Sequence, residues 1–179
     1  MAVFFTGQGD AGISHVGKDK LPKDSPFLDA LGDLDETNSF IGLVRSLLEN
    51  KEIQEKLKNV QESLFVVQAN IASLAFSQVK APPFTQERVQ ALEKEIEDIA
   101  QRVQLEGKFI IAGDTQEGAW FDVARTIVRR AERRVVGLSK EHLVSQDILS
   151  FLNRLSSYLY ALARLSAHQE SIKESNPLY

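Results

Sequence analysis

The sequence predicts an all-α protein in which five long helices form a bundle that follows a loop-rich N-terminal segment. Apolar residues recur at spacings of three and four along most of the 179-residue chain, whereas the alternation typical of strands is scarce. The five prolines lie at positions 22, 26, 82, 83 and 177, so residues 84–176 contain no proline to break a helix. A chain of this length fits one domain with a sizeable core.

Start and stop signals place the first three helices. Ser25 is a good N-cap, and Pro26 suits the first position of the first helix. The second helix is predicted from about Glu52 to Ser77, because the KAPP sequence that follows cannot continue a helix. Thr85 is the predicted N-cap of the third helix.

The last two helices have their own signals. Asp114 and Glu117 have the spacing of a capping box at the start of the fourth helix, and Gly137 is its predicted C-cap. Ser145 is the predicted cap of the fifth. Seven residues of the fourth helix share one apolar face and are predicted to lie in the core: Trp120, Val123, Ala124, Ile127, Val128, Ala131 and Val135.

An arginine cluster lies on another face of the fourth helix. The segment ARTIVRRAERR, residues 124–134, places five arginines in a chain whose formal net charge is -4. Arg125, Arg129 and Arg133 follow one another at i, i+4 spacing, where like charges destabilise a helix. A solvated face or ordinary ion pairs would be the commoner explanation. The absence of lysine and the planar fork of arginine favour bidentate contacts to phosphate or carboxylate instead.

Closely spaced glycines in TGQGDAGIS, residues 6–14, match the G-x-G-x-x-G pattern of dinucleotide-binding proteins. That pattern needs a preceding strand and a helix that follows at once, whereas the next residues up to Pro26 are predicted to be loop. Two interpretations remain open. The segment is either a flexible loop with turn glycines or a concavity of backbone N–H groups that holds an anion.

Acidic and amide side chains supply further candidates. The segment ALGDLDETNS contains Asp33, Asp35 and Glu36, which are suited to acid–base chemistry, to metal binding or to pairing with the arginines. Pairing is the favoured role for Asp35. Asn153 lies among apolar positions of the fifth helix and is either a structural hydrogen-bonding residue or a ligand contact.

Composition excludes several classes of function. The chain has no cysteine, so it has no thiolate metal site, disulfide or cysteine nucleophile. Its three histidines lack metal-ligand spacing, and the acidic charge balance argues against a nucleic-acid binder. No signal peptide and no apolar run long enough for a membrane span are recognised, so a cytoplasmic protein is expected.

The order of these motifs is specific. GDLDETNSFIG, ARTIVRRAERRVV and FLNRLSSYLYALAR follow one another as in the PduO-type ATP:cob(I)alamin adenosyltransferases, which the chain resembles from about Phe4 to Arg164. The resemblance implies a single adenosyltransferase domain over 1–179, with a nucleotide-binding loop segment (1–25) and a bundle of ferritin-like up-down topology (26–172). It implies a homotrimer with active sites between subunits. The implied activity is that of a transferase, which moves the 5′-deoxyadenosyl group of ATP, bound with Mg²⁺, to the cobalt of cob(I)alamin.

The resemblance also implies roles for individual residues. The protein alone is expected to hold no metal, and the product is expected to pass to an adenosylcobalamin-dependent enzyme. Arg129, Arg125 and Asp35 match catalytic positions, the last two as a salt bridge across the subunit interface. Phe109 and Tyr160 match aromatic residues at the corrinoid. The positions that match ATP-binding residues are Thr6, Gly7, Gln8, Gly9, Asp10, Ser14, Lys23, Arg129, Arg130, Glu132, Arg133 and Asn153. Arg134 is expected to be a solvated charge.

Departures from the family pattern leave an alternative. Gly7 and Gln8 replace a lysine and a small polar residue, so one phosphate-contacting cation is missing from the loop. IAGD at 111–114 replaces LPGG, Asp122 replaces a histidine, and Ser157 replaces an aspartate. The alternative is a diverged, non-catalytic helical bundle that binds nucleotide or corrinoid without turnover.

Overall fold

The computed structural model describes residues 4–16, 18–104 and 107–179. These residues form two short strands followed by five helices: β1 (Ile13–Val16), β2 (Asp19–Pro22), α1 (Pro26–Leu47), α2 (Lys51–Ala75), α3 (Gln86–Ala100), α4 (Gln116–Leu138) and α5 (Gln146–Gln169). The predicted all-α bundle of five helices is confirmed. Within the described ranges, none of the helices is long and apolar enough to cross a membrane.

The predicted N-caps hold for three helices. Ser25 accepts a hydrogen bond from Leu28 N at the start of α1, and Ser145 accepts one from Asp147 N at the start of α5. Thr85 lies at the N-cap of α3, but its side chain makes no capping hydrogen bond to the helix. Local sequence therefore fixes where these helices begin.

The predicted ends of α4 are wrong. The N-cap is Thr115, whose Oγ1 accepts from Gly118 N at 3.0 Å, and the Asp114–Glu117 capping box does not form. Asp114 instead accepts hydrogen bonds from the backbone and side chain of Ser175. Gly137 does not end the helix, because α4 continues to Leu138 with Ser139 as its C-cap. At the start of α4, the contact between Asp114 and the distant Ser175 therefore takes the place of the predicted capping box.

The segment predicted to be loop after the glycines contains a hairpin. β1 and β2 pair antiparallel, with Ile13 opposite Pro22 and Val16 opposite Asp19. The carboxylate of Asp19 accepts hydrogen bonds from Ser77 N at 2.7 Å and Ser77 Oγ at 2.9 Å. The hairpin is therefore attached to the bundle just beyond the end of α2.

Helices that follow one another along the chain alternate in direction. Pairs of contacts show that α1 and α4, α2 and α3, and α4 and α5 each pack antiparallel. These contacts are Asp29–Arg134 and Asp33–Arg130, Lys56–Glu95 and Ser63–Arg88, and Asp122–Arg164 and Glu132–Asn153, respectively. Three residues, 48–50, separate α1 from α2, so these two helices also run in opposite directions. This is the predicted up-down topology. We call the end with Pro26, Ala75 and Leu138 the proximal end, and the end with Ala100, Gln116 and Gln169 the distal end.

The core stripe of α4 is shifted from the predicted one at its first turns. Ala124, Val128, Ala131 and Val135 are buried as predicted, and so is Ile127. Val123 is wrong, because 46% of it is exposed. Phe121, which is 1% exposed, takes the core position at that level of the helix, and Trp120 is half-buried against the core.

Candidate active site

The arginine cluster of α4 divides into two groups. Arg130 forms ion pairs with Glu36 and Asp33 of α1, and Arg134 lies 3.3 Å from Asp29 and 3.6 Å from Asp33. These two guanidinium groups therefore bind carboxylates of the same chain. The Arg134 side chain is 54% exposed, as expected of a solvated charge, and it has these carboxylate partners as well. Arg130, predicted to contact ATP, already has two acidic partners.

Arg129 and Arg133 form the second group. Both side chains are exposed, and neither makes a hydrogen bond or ion pair within the part of the chain that the structure describes. They lie one helical turn apart, so both positive charges are on the same face of α4. Two adjacent arginines without a carboxylate partner suit an anionic ligand with several oxygens.

A polar pair adjoins these two arginines. Asn153 Nδ2 of α5 donates to Glu132 Oε1 at 3.0 Å, and Asn153 Oδ1 accepts from Arg154 Nη1 at 2.9 Å. Glu132 follows Arg129 by three positions and directly precedes Arg133. The structure thus brings together residues from two motifs that were predicted to bind ATP, three on α4 and one on α5, although their role in binding stays a prediction.

The N-terminal glycine loop is a series of turns. Gly7 and Gly12 have φ values of 69° and 74°, in the left-handed region that favours glycine. Asp10 N donates to Gly7 O, and Gln8 N donates to Thr6 Oγ1 at 3.4 Å. Turns at these glycines are expected both for a loop with turn glycines and for a concavity of backbone N–H groups, so the role of the segment in anion binding stays a prediction.

Lys23, the residue that follows β2, contacts the same loop. Its backbone N donates to Gly12 O, and its ammonium lies against Gly9, where a Cβ atom would be only 2.9 Å from Lys23 Nζ. A positive charge is thus present beside the loop although Gly7 and Gln8 carry none. Ser14 lies within β1, opposite Leu21. No hydrogen bond or ion pair among the described residues joins this loop to Arg129 or Arg133.

Arg125 is held within its own helix. Its Nε lies 3.0 Å from Asp122 Oδ1, and Asp122 Oδ2 accepts from Arg164 Nη2 at 2.9 Å. Asp35, the predicted partner of Arg125 on another subunit, is exposed and makes no ion pair inside the described part of its own chain. A single chain therefore leaves the predicted interface pair untested.

Sequence reasoning missed the role of Arg164. Its side chain is 5% exposed, and its Nε lies 2.8 Å from Glu174 Oε1. Its guanidinium carbon is 4.7 Å from the ring centroid of Tyr160, a cation–π contact. The signal that could have found it was an arginine in the otherwise apolar run ALARLSA, because a buried arginine needs an anionic partner.

The predicted corrinoid residues lie towards the distal half of the bundle. The Phe109 side chain is 77% exposed, while its backbone carbonyl accepts a hydrogen bond from Asn176 Nδ2 at 2.9 Å. Ile111 N donates to Ser175 O at 2.8 Å, so residues 175–176 hold the segment that carries Phe109. Tyr160 lines a cavity of about 590 Å³ whose cationic lining residues are Arg102, Lys108, Arg164 and Lys173.

The described residues contain no group of three or more histidine, aspartate or glutamate side chains arranged to hold a metal ion.

Burial raises the pKa of Glu174, beside Arg164, and the neighbouring Asp114 and Asp122 raise it further while Arg164 lowers it. Asp122, Arg164 and Glu174 therefore form a network of paired charges.

Comparison with known proteins identifies the family. Residues 4–166 match the family described as cobalamin adenosyltransferase. The chain belongs to this family. Among its members, the corrinoid adenosyltransferase PduO of Citrobacter freundii is 37% identical over 179 residues, which cover 96% of this chain and 52% of that protein. The corrinoid adenosyltransferase of Bacillus subtilis strain 168 is 34% identical over 165 residues, covering 90% of this chain and 84% of that one.

Solved structures of family members have the same fold. A variant of the PduO-type ATP:corrinoid adenosyltransferase from Lactobacillus reuteri, complexed with cobalamin and ATP, superposes with a TM-score of 0.91 at 34% identity, covering 99% of this chain and 100% of that one. A second variant of the Lactobacillus protein, complexed with ATP, gives a TM-score of 0.87 at 34% identity, covering 97% and 99%. The chain spans about half the length of the Citrobacter relative, 52%.

Proposed function

We propose that the chain transfers the 5′-deoxyadenosyl group of ATP to the cobalt of a reduced corrinoid, cob(I)alamin, and releases tripolyphosphate. The observation that carries this proposal is the exposed pair Arg129 and Arg133 beside the Glu132–Asn153 hydrogen bond, in a chain whose relatives bind ATP and cobalamin. The electron pair of Co(I) forms the bond to the ribose C5′, and the bond between C5′ and the triphosphate oxygen breaks. The leaving group departs with the bonding electrons.

The protein's part in this reaction is positioning and charge stabilisation. Arg129 and Arg133 would bind the triphosphate and stabilise the negative charge that grows on it as the C5′–O bond breaks. Glu132 and Asn153 would orient the nucleotide beside them, and Arg130, tied to Asp33 and Glu36, would lend charge from one side. Mg²⁺ would enter with ATP, because this ion prefers phosphate oxygens and retained water.

The N-terminal loop supplies a second set of phosphate contacts in this proposal. The set comprises the turn residues and two side chains beside them: Thr6, Gly7, Gln8, Gly9, Asp10, Ser14 and Lys23. The ammonium of Lys23, itself one of the matched ATP-binding positions, lies next to Gly9 and is a cation that remains beside the loop. This contact supports nucleotide binding, which the proposed transferase and the diverged, non-catalytic alternative both require, so turnover has to be measured.

An assembly of three chains would complete the site. We propose a homotrimer in which Asp35 of one subunit binds Arg125 of the next, with Phe109 and Tyr160 lining the corrinoid. Exposed apolar side chains on α1 and α4, Leu43, Leu47 and Val123, support an interface on these helices. The proposal places the reaction in the cytoplasm, with the product handed to an adenosylcobalamin-dependent enzyme.

A spectroscopic assay tests the proposal. The chain is mixed with Mg²⁺, ATP and chemically reduced cobalamin without oxygen, and the visible spectrum is followed towards that of the adenosylated product. One tripolyphosphate should appear for each corrinoid converted. Binding of ATP and corrinoid with no spectral change would favour the non-catalytic alternative, and loss of both binding and turnover would contradict the proposal.

A further inference from the structure

Asp122 is a buried carboxylate shared by two arginines. It is 5% exposed, and each of its oxygens has one guanidinium partner: Oδ1 accepts from Arg125 Nε at 3.0 Å and Oδ2 from Arg164 Nη2 at 2.9 Å. Each guanidinium group makes one charge-assisted hydrogen bond to this carboxylate, and these bonds restrict where both groups can lie. Asp122 thus determines the orientation of the two arginines.

Arg125 uses only one of its nitrogens in this contact. Its side chain is 30% exposed, and its two terminal nitrogens make no other hydrogen bond or ion pair within the ranges that the structure describes. An arginine bound through Nε keeps both terminal NH₂ groups for a second anionic partner. The contact with Asp122 therefore prepares Arg125 for a partner outside its own chain.

Arg164 extends the network in the other direction. It is buried, and it connects Asp122 with Glu174 beyond α5 and with the face of the Tyr160 ring. Two arginines and two carboxylates balance in charge across this group. Removal of the Asp122 charge would leave two guanidinium groups near each other with Glu174 as the remaining carboxylate, so both would reorient.

We infer that Asp122 is a positioning residue for the corrinoid half of the reaction, which acts by aiming Arg125 and by holding Arg164 over Tyr160. The inference rests on the proposed function. Within the described residues, Asp122 makes no hydrogen bond or ion pair with the predicted triphosphate arginines, so it should affect corrinoid use and leave ATP binding unchanged. A residue that merely stabilises the fold would affect both substrates, whereas Asp122 should affect the corrinoid alone.

Asp122→Asn tests this role, because it keeps the shape of the side chain and removes its charge. We expect kcat/KM for the corrinoid to fall about 10- to 100-fold, the range seen when a residue that orients a site is lost. The Kd for ATP, measured by calorimetry, should stay within about threefold. Glu95→Gln is the structural control, since it also removes a half-buried ion pair, with Lys56, but lies away from this network.

A double-mutant cycle supplies the decisive comparison. In an Arg125→Ala background, Asp122→Asn should lower corrinoid use by a smaller factor than it does in the unmutated chain, because one of the two arginines through which it acts is gone. A full additional loss there, or wild-type corrinoid KM and kcat in Asp122→Asn alone, would overturn the inference. If the unmutated chain does not adenosylate cobalamin, the proposed function fails first and the inference falls with it.

A folded variant is needed if Asp122→Asn alone does not fold. The pair Asp122→Asn with Arg164→Gln removes one charge of each sign, so the net charge of the network stays the same, although Glu174 loses its partner. We expect this double variant to bind ATP normally and to lose corrinoid use to the same extent as Asp122→Asn. Normal corrinoid kinetics in the folded double variant would contradict the role of Asp122.

Discussion

Asn153 Nδ2 donates to Glu132 Oε1 at 3.0 Å and so joins α5 to α4 beside Arg129 and Arg133. If this pair orients the nucleotide, Asn153→Asp should weaken ATP binding more than Asn153→Ala, because it places a second carboxylate against Glu132. We expect an increase in the ATP Kd of about tenfold or more for the aspartate variant. Calorimetry on both variants would measure the difference, and equal affinities would argue against this orientation.

Arg129→Ala should impair ATP use with little loss of stability. Arg129 is exposed and has no partner in the described residues, so the fold does not depend on it. A lost charged contact to phosphate corresponds to a rise in the ATP KM of about 10- to 100-fold. Arg134→Ala is the matched control on the same helix, since its guanidinium binds Asp29 and Asp33. A wild-type KM for Arg129→Ala would remove the phosphate role.

Arg125→Ala should weaken the proposed trimer. Removing one member of a buried interfacial charge pair costs about 2–5 kcal/mol at that interface. Sedimentation across a concentration series would detect dissociation of the variant. Arg154→Ala, whose guanidinium binds Glu93 of the same chain, should sediment as the unmutated protein does. A normal assembly with normal activity in Arg125→Ala would contradict the interface pair.

Gly118→Ala should destabilise the fold, whereas Gly137→Ala should not. A Cβ atom at Gly118 would lie 2.5 Å from Thr115 Oγ1 and 3.3 Å from Ala163 O, so α4 and α5 would have to separate. Overpacking of this kind costs about 1–3 kcal/mol. Gly137 has nothing within 4 Å of such an atom and lies inside α4, so alanine there should stabilise by about 0.5–1 kcal/mol. Urea denaturation measures the free energy of unfolding, which should fall for Gly118→Ala and rise for Gly137→Ala.

Glu117 should make the stability of the fold depend on pH. Burial raises its pKa above the ordinary value of 4.5, and the charges of Glu170 and Glu49 raise it further. A carboxyl with a raised pKa destabilises the native state above that pKa, and the cost disappears as the pH falls below 4.5. Glu117→Gln should therefore raise the Tm at neutral pH, and the difference should shrink in acid. Glu62→Gln, on the exposed side of α2, is the control; a pH-independent difference would refute the prediction.

Signals contained in a few adjacent residues were enough to predict much of the fold. Ser25 with Pro26, and Ser145, indicate where helices begin, because a capping hydrogen bond needs only its own helix. The first turn of α4 could not be predicted in this way. Asp114 has the better local pattern, but Ser175, 61 residues away, occupies its oxygens, so Thr115 caps the helix.

In the candidate site too, local features could be predicted from the sequence and long-range contacts could not. The arginine helix was evident from spacing and residue type, and its carboxylate partners on α1 were a natural expectation. Which arginines are paired depends on how α1 lies against α4, and the sequence pattern does not contain that geometry. Arg130 and Arg134 face Asp33, whereas Arg129 and Arg133 do not. The Asp122–Arg164 contact joins residues 42 positions apart, so no local motif could have indicated it.

Trp120 is the only tryptophan in the sequence, and it lies half-buried on α4 two positions before Asp122. The protein therefore carries a natural fluorophore near the Arg125–Asp122–Arg164 network and well away from the glycine loop at the proximal end. Its emission can be recorded while either substrate is added, without a label. Changes that begin at the buried carboxylate should alter this signal, and changes confined to the loop should leave it constant.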